Sequence, residues 1–167
     1  MTSNAHIADI ALILAQEAAL VFPAFDEATA WDIGSKIREI AASRGQSVFI
    51  DIRLWDRVLF THAMAGTSSD KEDWVRRKVN VVRRFQCSSY RKGLELKRDG
   101  KVLDASVGCN PMDYAAHGGG FPIRMAGGPI IGCITVSNLP QREDHKLAVE
   151  AIAAVLGMDI SGIKLDQ

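Results

Sequence analysis

The chain has 167 residues, of which 47% are hydrophobic and 24% are charged, and its 20 basic side chains balance its 20 acidic ones. This composition is typical of one folded domain and excludes a disordered chain. The absence of net charge also excludes a dedicated nucleic-acid-binding or membrane-surface protein, so we expect neither partner.

The first half of the chain predicts two helices followed by a hairpin. Apolar residues recur at spacings of three and four over residues 6–20 and 26–41, and Gly45 is a natural stop for the second helix. Residues 47–54 alternate apolar and polar side chains, and residues 58–62 form a second apolar run after a short connection. This pattern predicts an antiparallel hairpin.

The second half repeats the order of helices followed by a hairpin. Ser69 and Glu72 have the spacing of a capping box, so we predict a helix from there to about Phe85. The remaining predicted elements are a helix capped by Ser88 and ended by Gly100, strands over residues 121–125 and 129–136, and a helix over residues 141–157.

These elements predict an α/β fold of the α+β type, with a central antiparallel sheet and flanking helices, because strands joined by short turns pair antiparallel. The helices grouped between the hairpins would cover one face of the sheet, and we expect self-association to cover the other. We treat residues 1–167 as a single domain in which residues 1–25 are an N-terminal helical extension.

Neither the apolar segments nor the cysteines indicate export. The N-terminus lacks a basic segment before an apolar run, and no stretch reaches the ~20 apolar residues of a spanning helix. Cys87, Cys109 and Cys133 are odd in number and form no Cys-x-x-Cys motif, which argues against a disulfide framework or a zinc ribbon. We therefore expect a cytoplasmic protein without a membrane partner.

A run of three glycines is the most conspicuous motif of the chain. A His-Gly-Gly-Gly run supplies oxyanion donors in α/β-hydrolases, but the Gly-x-Ser-x-Gly elbow of that fold is absent from this sequence. Successive glycine amides can cradle an anion or a carboxylate, and a tight turn into the next strand explains the glycines equally well. The candidate ligand-binding residues of this motif are His117, Gly118, Gly119, Gly120 and Phe121.

Residues 71–98 concentrate positive charge, with ten basic and three acidic side chains. Two arginine pairs lie one helical repeat of seven residues apart, so they project to one side of the predicted helix. Such a side can bind an anion through forked guanidinium bonds, although a solvated face with acidic neighbours in the fold is the commoner arrangement. The candidate anion-binding residues are Arg77, Lys78, Arg83 and Arg84.

The four histidines are His6, His62, His117 and His145, and none has the spacing of a closed metal site. A single histidine can still be the ligand of haem iron. His117 is the first candidate because it borders the glycine run, and His62 at a strand end is the second. A hydrogen-bonded structural histidine is the commoner role for both.

The glycine run and its surroundings resemble a known family, the HbpS/GlcG-like proteins, often called haem-degrading or haem-binding domains. The C-terminal domain of the PduO cobalamin adenosyltransferases is one of its members. The resemblance covers about residues 26–157. It rests on His117 to Pro122 followed by Ile-Arg, a Gly-Gly turn, the segment from Ile130 to Ser137, and a helix from Gln141 that contains Glu143 and Asp144. Arg77, Lys78 and Ser89 match a narrower subgroup shared by bacteria and fungi.

This resemblance implies a profilin-like fold and a symmetric homo-oligomer built from dimers. It implies haem as a ligand or cofactor, since some members bind haem or release its iron. The activity that it implies is haem degradation, and no nucleophile–base pair in the sequence indicates another reaction.

We therefore expect a cytosolic, oligomeric domain that binds haem or a related anionic tetrapyrrole between the glycine run and the basic helix. Arg77, Lys78, Arg83 and Arg84 would meet its carboxylates, and His117 would approach its metal. The alternative is a non-enzymatic interaction protein whose basic helix docks an acidic protein partner.

Overall fold

The computed structural model describes residues 2–166, with side chains from residue 4 onward. The helices are α1 (Thr2–Ala19), α2 (Glu27–Ser43), α3 (Lys71–Phe85), α4 (Ser89–Arg98) and α5 (Gln141–Leu156). The strands are β1 (Phe49–Leu54), β2 (Val58–Ala63), β3 (Gly120–Arg124) and β4 (Ile130–Ser137), and two single turns of 3-10 helix cover Ala105–Val107 and Ser161–Ile163. The predicted α+β class and the predicted element order are confirmed.

All four strands form one antiparallel sheet in the order β2-β1-β4-β3. Both predicted hairpins are confirmed, and they join through β1 and β4, whose register places Ile52 opposite Ile134. At the outer edge of β3, the amide of Phe22 donates to the carbonyl of Arg124 at 2.8 Å. The opposite edge of the sheet is β2.

Helices α2 and α5 cover one face of this sheet. Ile50, Ile52 and Ile134 alternate toward that face and are fully buried in one core with Ile37 of α2 and Ile152 of α5. Each such side chain contributes about 1.5–3 kcal/mol through its burial. The strand residues that recur with a period of two and the helix residues that recur with a period of 3.6 therefore pack together in one core.

Helix α3 covers the opposite face, which corrects the expectation that self-association would cover it. Val75, Val79 and Val82 recur at helical spacing and form a second buried cluster with Phe49 and Cys133 of the sheet. The apolar row of α3 is therefore satisfied within the chain, because the connection after β2 carries this helix to the second face.

The two predicted helix caps have different outcomes. Ser69 and Glu72 do not form a capping box, because α3 begins directly after Asp70 and has no side-chain cap. Ser88 is confirmed as the N-cap of α4, since its hydroxyl accepts a hydrogen bond from the amide of Arg91 at 3.3 Å.

Helix α1 is tied to α4 by a buried carboxylate. Glu17 accepts a hydrogen bond from the amide of Ser88 at 2.7 Å and pairs with Arg91 at 3.0 Å. Burial raises the pKa of Glu17 despite these two partners. Within residues 2–166, none of the helices combines the length and the apolar character needed to cross a bilayer.

Candidate functional site

His117 is exposed and lies beside α3, where its ring stacks at a tilt on Trp74 with 5.3 Å between the ring centroids. Desolvation of the ring lowers the pKa of this imidazole, and the nearby charges of Lys78 and Arg77 lower it further. His117 is therefore a neutral imidazole at neutral pH. Among the described residues, its ring nitrogens form no hydrogen bond, although its carbonyl accepts one from Ser89.

The glycines that follow His117 allow the backbone to approach its neighbours closely. A Cβ atom on Gly118 would lie 1.9 Å from the carbonyl oxygen of Gln141, and one on Gly119 would lie 2.1 Å from that of Val136. Gly119 also has a φ of +130°, which a residue with a side chain rarely adopts. The glycine run thus fixes His117 against α5 and β4.

Two of the three glycine amides are already used inside the protein. The amide of Gly118 donates to Oε1 of Gln141 at 3.2 Å, and that of Gly120 donates to the hydroxyl of Ser89 at 2.9 Å. Of the two explanations that the sequence left open, close packing therefore accounts for these glycines better than an anion cradle does.

A buried ion pair lies next to the glycine run. Nζ of Lys78 is 3.1 Å from Oδ2 of Asp144, and it also donates to the carbonyl of Val136 at 3.0 Å. The second carboxylate oxygen of Asp144 accepts from the amide of Leu139 at 3.0 Å. Burial raises the pKa of Asp144 to about 6 and lowers that of Lys78, because desolvation outweighs the attraction between the two groups.

These groups surround a small polar cavity of about 230 Å³, which we call the His117 cleft. It is lined by Lys71, Trp74, Lys78, His117, Ser137, Asn138, Leu139, Gln141 and Asp144. The structure thus brings His117 and Lys78 together, as the sequence suggested. Sequence reasoning missed Asp144 as the partner of Lys78, because the two are 66 positions apart and no local pattern joins them.

The other predicted site residues have separate surroundings. Arg77 lies over the ring of Trp74 at 4.6 Å and donates to the carbonyl of Pro111 at 2.9 Å. Arg83 lies 5.7 Å from the ring of Trp55, Arg84 donates to the carbonyl of Val107 at 2.9 Å, and Phe121 is fully buried in the main core. The structure therefore does not bring Arg83, Arg84 or Phe121 to the cleft.

The basic segment is partly neutralised by acidic groups of the same chain. Arg76 pairs with Asp73 and with Asp113, each at 2.9 Å. Arg98 pairs with Asp99 at 2.7 Å. These contacts give the arrangement of a solvated helix with acidic neighbours in the fold, and they lend no support to an acidic protein partner.

A second depression lies between α2 and the edge strand β2, and we call it the His62 groove. It has a volume of about 520 Å³ and is lined by Trp31, Ser35, Arg38, Leu59, Phe60, Thr61 and His62. Trp31 is 66% exposed, and its ring meets that of Phe60 edge-on with 5.8 Å between centroids. The sequence suggested His62 as the second candidate ligand but gave no reason to place Trp31 or Arg38 beside it.

A further cavity lies between α5 and the C-terminal segment and has a volume of about 650 Å³. It contains no histidine and no aromatic residue, and it is lined by Gln16, Arg44, Gln46, Glu143, Lys146, Val149, Glu150, Ile160, Ser161, Lys164, Leu165 and Asp166. Within the described part of the chain, no three histidine, cysteine or acidic side chains gather where they could hold a metal ion. The two imidazole sites are therefore the candidates for ligand chemistry.

Comparison with known proteins gives a consistent assignment. Residues 25–153 match the family model described as haem degrading protein HbpS-like. A UPF0303 protein of Acidobacterium capsulatum is 53% identical over 159 residues, which are 95% of this chain and 96% of that protein.

Solved structures share the same architecture. The Ybr137w protein superposes with a TM-score of 0.84 at 26% identity and covers 93% of this chain and 94% of its own. A complex of PduOC with haem superposes with a TM-score of 0.66 at 17% identity, covering 78% of this chain and 94% of its own. At that identity the second likeness shows the fold alone.

Proposed function

The chain belongs to the family of haem-degrading HbpS-like proteins, and from this premise we propose that it binds haem or a related anionic tetrapyrrole. A tetrapyrrole needs a broad apolar wall, a metal ligand and a cation for its carboxylates. The two imidazole sites differ in how well they meet these three needs, and this difference carries the choice of site.

The His62 groove supports the proposal best. Its volume of about 520 Å³ lies within the ~300–1,000 Å³ of ligand pockets, whereas the His117 cleft, at about 230 Å³, lies below that range. Trp31, Leu59 and Phe60 give the groove its apolar wall. The His117 cleft instead has the buried ion pair of Lys78 and Asp144 in its wall. A macrocycle bound there would place its apolar surface against these two charged groups.

Four side chains of the groove have defined roles in this proposal. Trp31 and Phe60 would contact the macrocycle, and an imidazole nitrogen of His62 would bind its metal. Arg38 is exposed and forms no ion pair within residues 4–166, so its guanidinium is free to bind a carboxylate of the ligand. Bound haem would supply a redox-active iron, through which peroxide can degrade the macrocycle. The chain itself binds and orients the ligand and shields one side of it from water.

The experiment is an absorption titration of the purified protein with haemin. We expect a saturable Soret shift at one haem per chain. His62→Ala should weaken haemin binding by at least about tenfold, because the metal loses its ligand. His117→Ala is the matched control and should leave the affinity unchanged.

Two results would contradict this account in different ways. If His117→Ala weakens binding and His62→Ala does not, haem binds at the site favoured by the sequence rather than in the groove. If no saturable shift occurs, haem binding is wrong, and the interaction protein that docks an acidic partner becomes the better account. Arg77→Glu combined with Arg84→Glu would then abolish that docking.

We also propose a cytoplasmic homo-oligomer built from dimers. The support is the edge strand β2, where Thr61 and Ala63 are exposed beside a row of backbone groups that the sheet leaves unpaired. Light scattering during gel filtration should give a multiple of the 18.2 kDa chain mass. A monomer at all concentrations would contradict this proposal.

A further inference from the structure

Several hydrogen-bond donors of the His117 cleft have no acceptor among the described residues. Among the described residues, the indole nitrogen of Trp74, the ring nitrogens of His117 and the side-chain amide nitrogen of Gln141 donate no hydrogen bond. The ammonium group of Lys71 faces a single carboxylate, the exposed Asp70, at 3.5 Å. Three side-chain donors therefore line one cavity without an acceptor among the described residues, and a fourth faces one exposed carboxylate.

The acidic group of the cleft cannot meet this demand. One carboxylate oxygen of Asp144 is bonded to Lys78 at 3.1 Å, and the other accepts from Leu139 at 3.0 Å. With Asp144 paired to Lys78, and with His117 neutral, the other charged side chain that lines the cleft is Lys71, whose only ion-pair partner among the described residues is the exposed Asp70 outside the lining. The start of α5 at Gln141, which has no side-chain cap, adds the partial positive charge of a helix N-terminus.

The size of the cavity limits the occupant. A volume of about 230 Å³ equals that of roughly eight water molecules. One wall is aromatic, because Trp74 and His117 stack there. An occupant of this size with a flat apolar part and one anionic end would accept hydrogen bonds from the donors and pack against the aromatic wall.

We infer that the His117 cleft is a second binding site, separate from the haem groove, for a small organic carboxylate of about the size of benzoate. The carboxylate accepts hydrogen bonds from Lys71 and Gln141, and the flat part of the ligand lies against Trp74. Lys78 and Asp144 form the floor of the site, where each is the ion-pair partner of the other. The inference does not depend on haem, because the two sites share no residue.

Isothermal titration calorimetry with sodium benzoate tests this site directly. We expect saturable binding at millimolar concentration, and no binding of benzamide, which has the same shape without the charge. Lys71→Met should weaken benzoate binding at least about tenfold, since it removes the cation proposed to bind the carboxylate. Lys101→Met, a change at an exposed lysine outside the cleft, is the matched control and should leave the affinity unchanged.

Three results would overturn the inference. The first is no heat of binding with benzoate at millimolar concentration. The second is an equal response from the Lys71→Met variant and the parent protein. The third is tighter binding of inorganic phosphate than of benzoate, which would assign the cleft to a different class of anion. None of these results bears on haemin binding, so the two proposals fail independently.

Discussion

The His62 groove and the His117 cleft each present one imidazole, but the two sites are built differently. The groove lies on an edge strand, is walled by aromatic rings, and holds one cation without an ion-pair partner among the described residues. The cleft lies at the junction of α3, α5 and the glycine run, and its floor is a buried ion pair. The neighbours of each imidazole, rather than the imidazole itself, determine what it can bind.

This contrast also concerns stability, because the cleft is part of the fold whereas the groove lies on its surface. Removing one partner of a buried, paired group lowers the free energy of unfolding strongly, whereas removing an exposed group lowers it little. Variants of the cleft should therefore unfold at lower denaturant concentration, while variants of the groove should alter binding alone.

The largest effect is expected at the ion pair of the cleft. Lys78→Met leaves the carboxylate of Asp144 buried without its cation and should lower the free energy of unfolding by about 3–5 kcal/mol. Urea unfolding at pH 7 measures this loss. His62→Ala in the groove is the comparison and should lower the free energy of unfolding by less than about 1 kcal/mol.

A second substitution separates a lost charge partner from lost packing. The double variant Lys78→Met/Asp144→Asn contains no buried charge at this position and should be about 2 kcal/mol more stable than Lys78→Met alone. If both variants are equally unstable, packing rather than charge holds the floor of the cleft.

The next effect is expected at the glycine run. Gly119→Ala places a Cβ atom 2.1 Å from a backbone oxygen at a φ of +130°, so it should cost about 3 kcal/mol or more of stability. Gly127→Ala is the matched control, because it also has a positive φ, of +65°, but no atom within 4 Å of the added carbon. That control should cost about 1 kcal/mol. Equal thermal unfolding of the two variants would refute the close-packing role of the run.

A smaller effect is expected from pH. The pKa of Asp144 is raised from 3.8 to about 6 in the folded protein, so the folded state binds this proton more tightly than the unfolded state does. The stability from this group is fully present below pH 3.8 and is lost as the pH rises through 6. Relative to Asp144→Asn, the parent protein should therefore lose about 2 kcal/mol of stability over this range.

Urea unfolding of both proteins at a series of pH values measures this difference. The buried His145, whose pKa is lowered to about 3, acts in the opposite direction because its stability is lost as the pH falls through 3. His145 is present in both proteins, so its contribution cancels from the difference in stability between them. A difference that rises with pH would contradict the raised pKa of Asp144.

Local patterns were enough to predict the helices, the hairpins and the α+β class. The valine row of α3 was visible as a helical stripe, but its position on the second face of the sheet was not. That position depends on how β1 pairs with β4, and no short-range signal records the pairing of strands about 80 residues apart.

The sites were predicted only in part, for the same reason. His117 and the glycine run were visible as a motif, while the contacts of Gly118 and Gly119 with Gln141 and Val136 exist only in the folded chain. The charge of Lys78 suggested a ligand contact, but burial beside Asp144 gives it an internal partner. A sequence shows which groups are present, and tertiary contacts decide which of them remain free to bind.

Haem binding at His62 rather than at His117 is tested most directly by one NMR titration. Gallium protoporphyrin is a diamagnetic analogue of haem, so the imidazole signals of the labelled protein can be followed as it is added. We expect the ring signals of His62 to shift while those of His117 stay in place. Shifts of the His117 signals with unchanged His62 signals would contradict it.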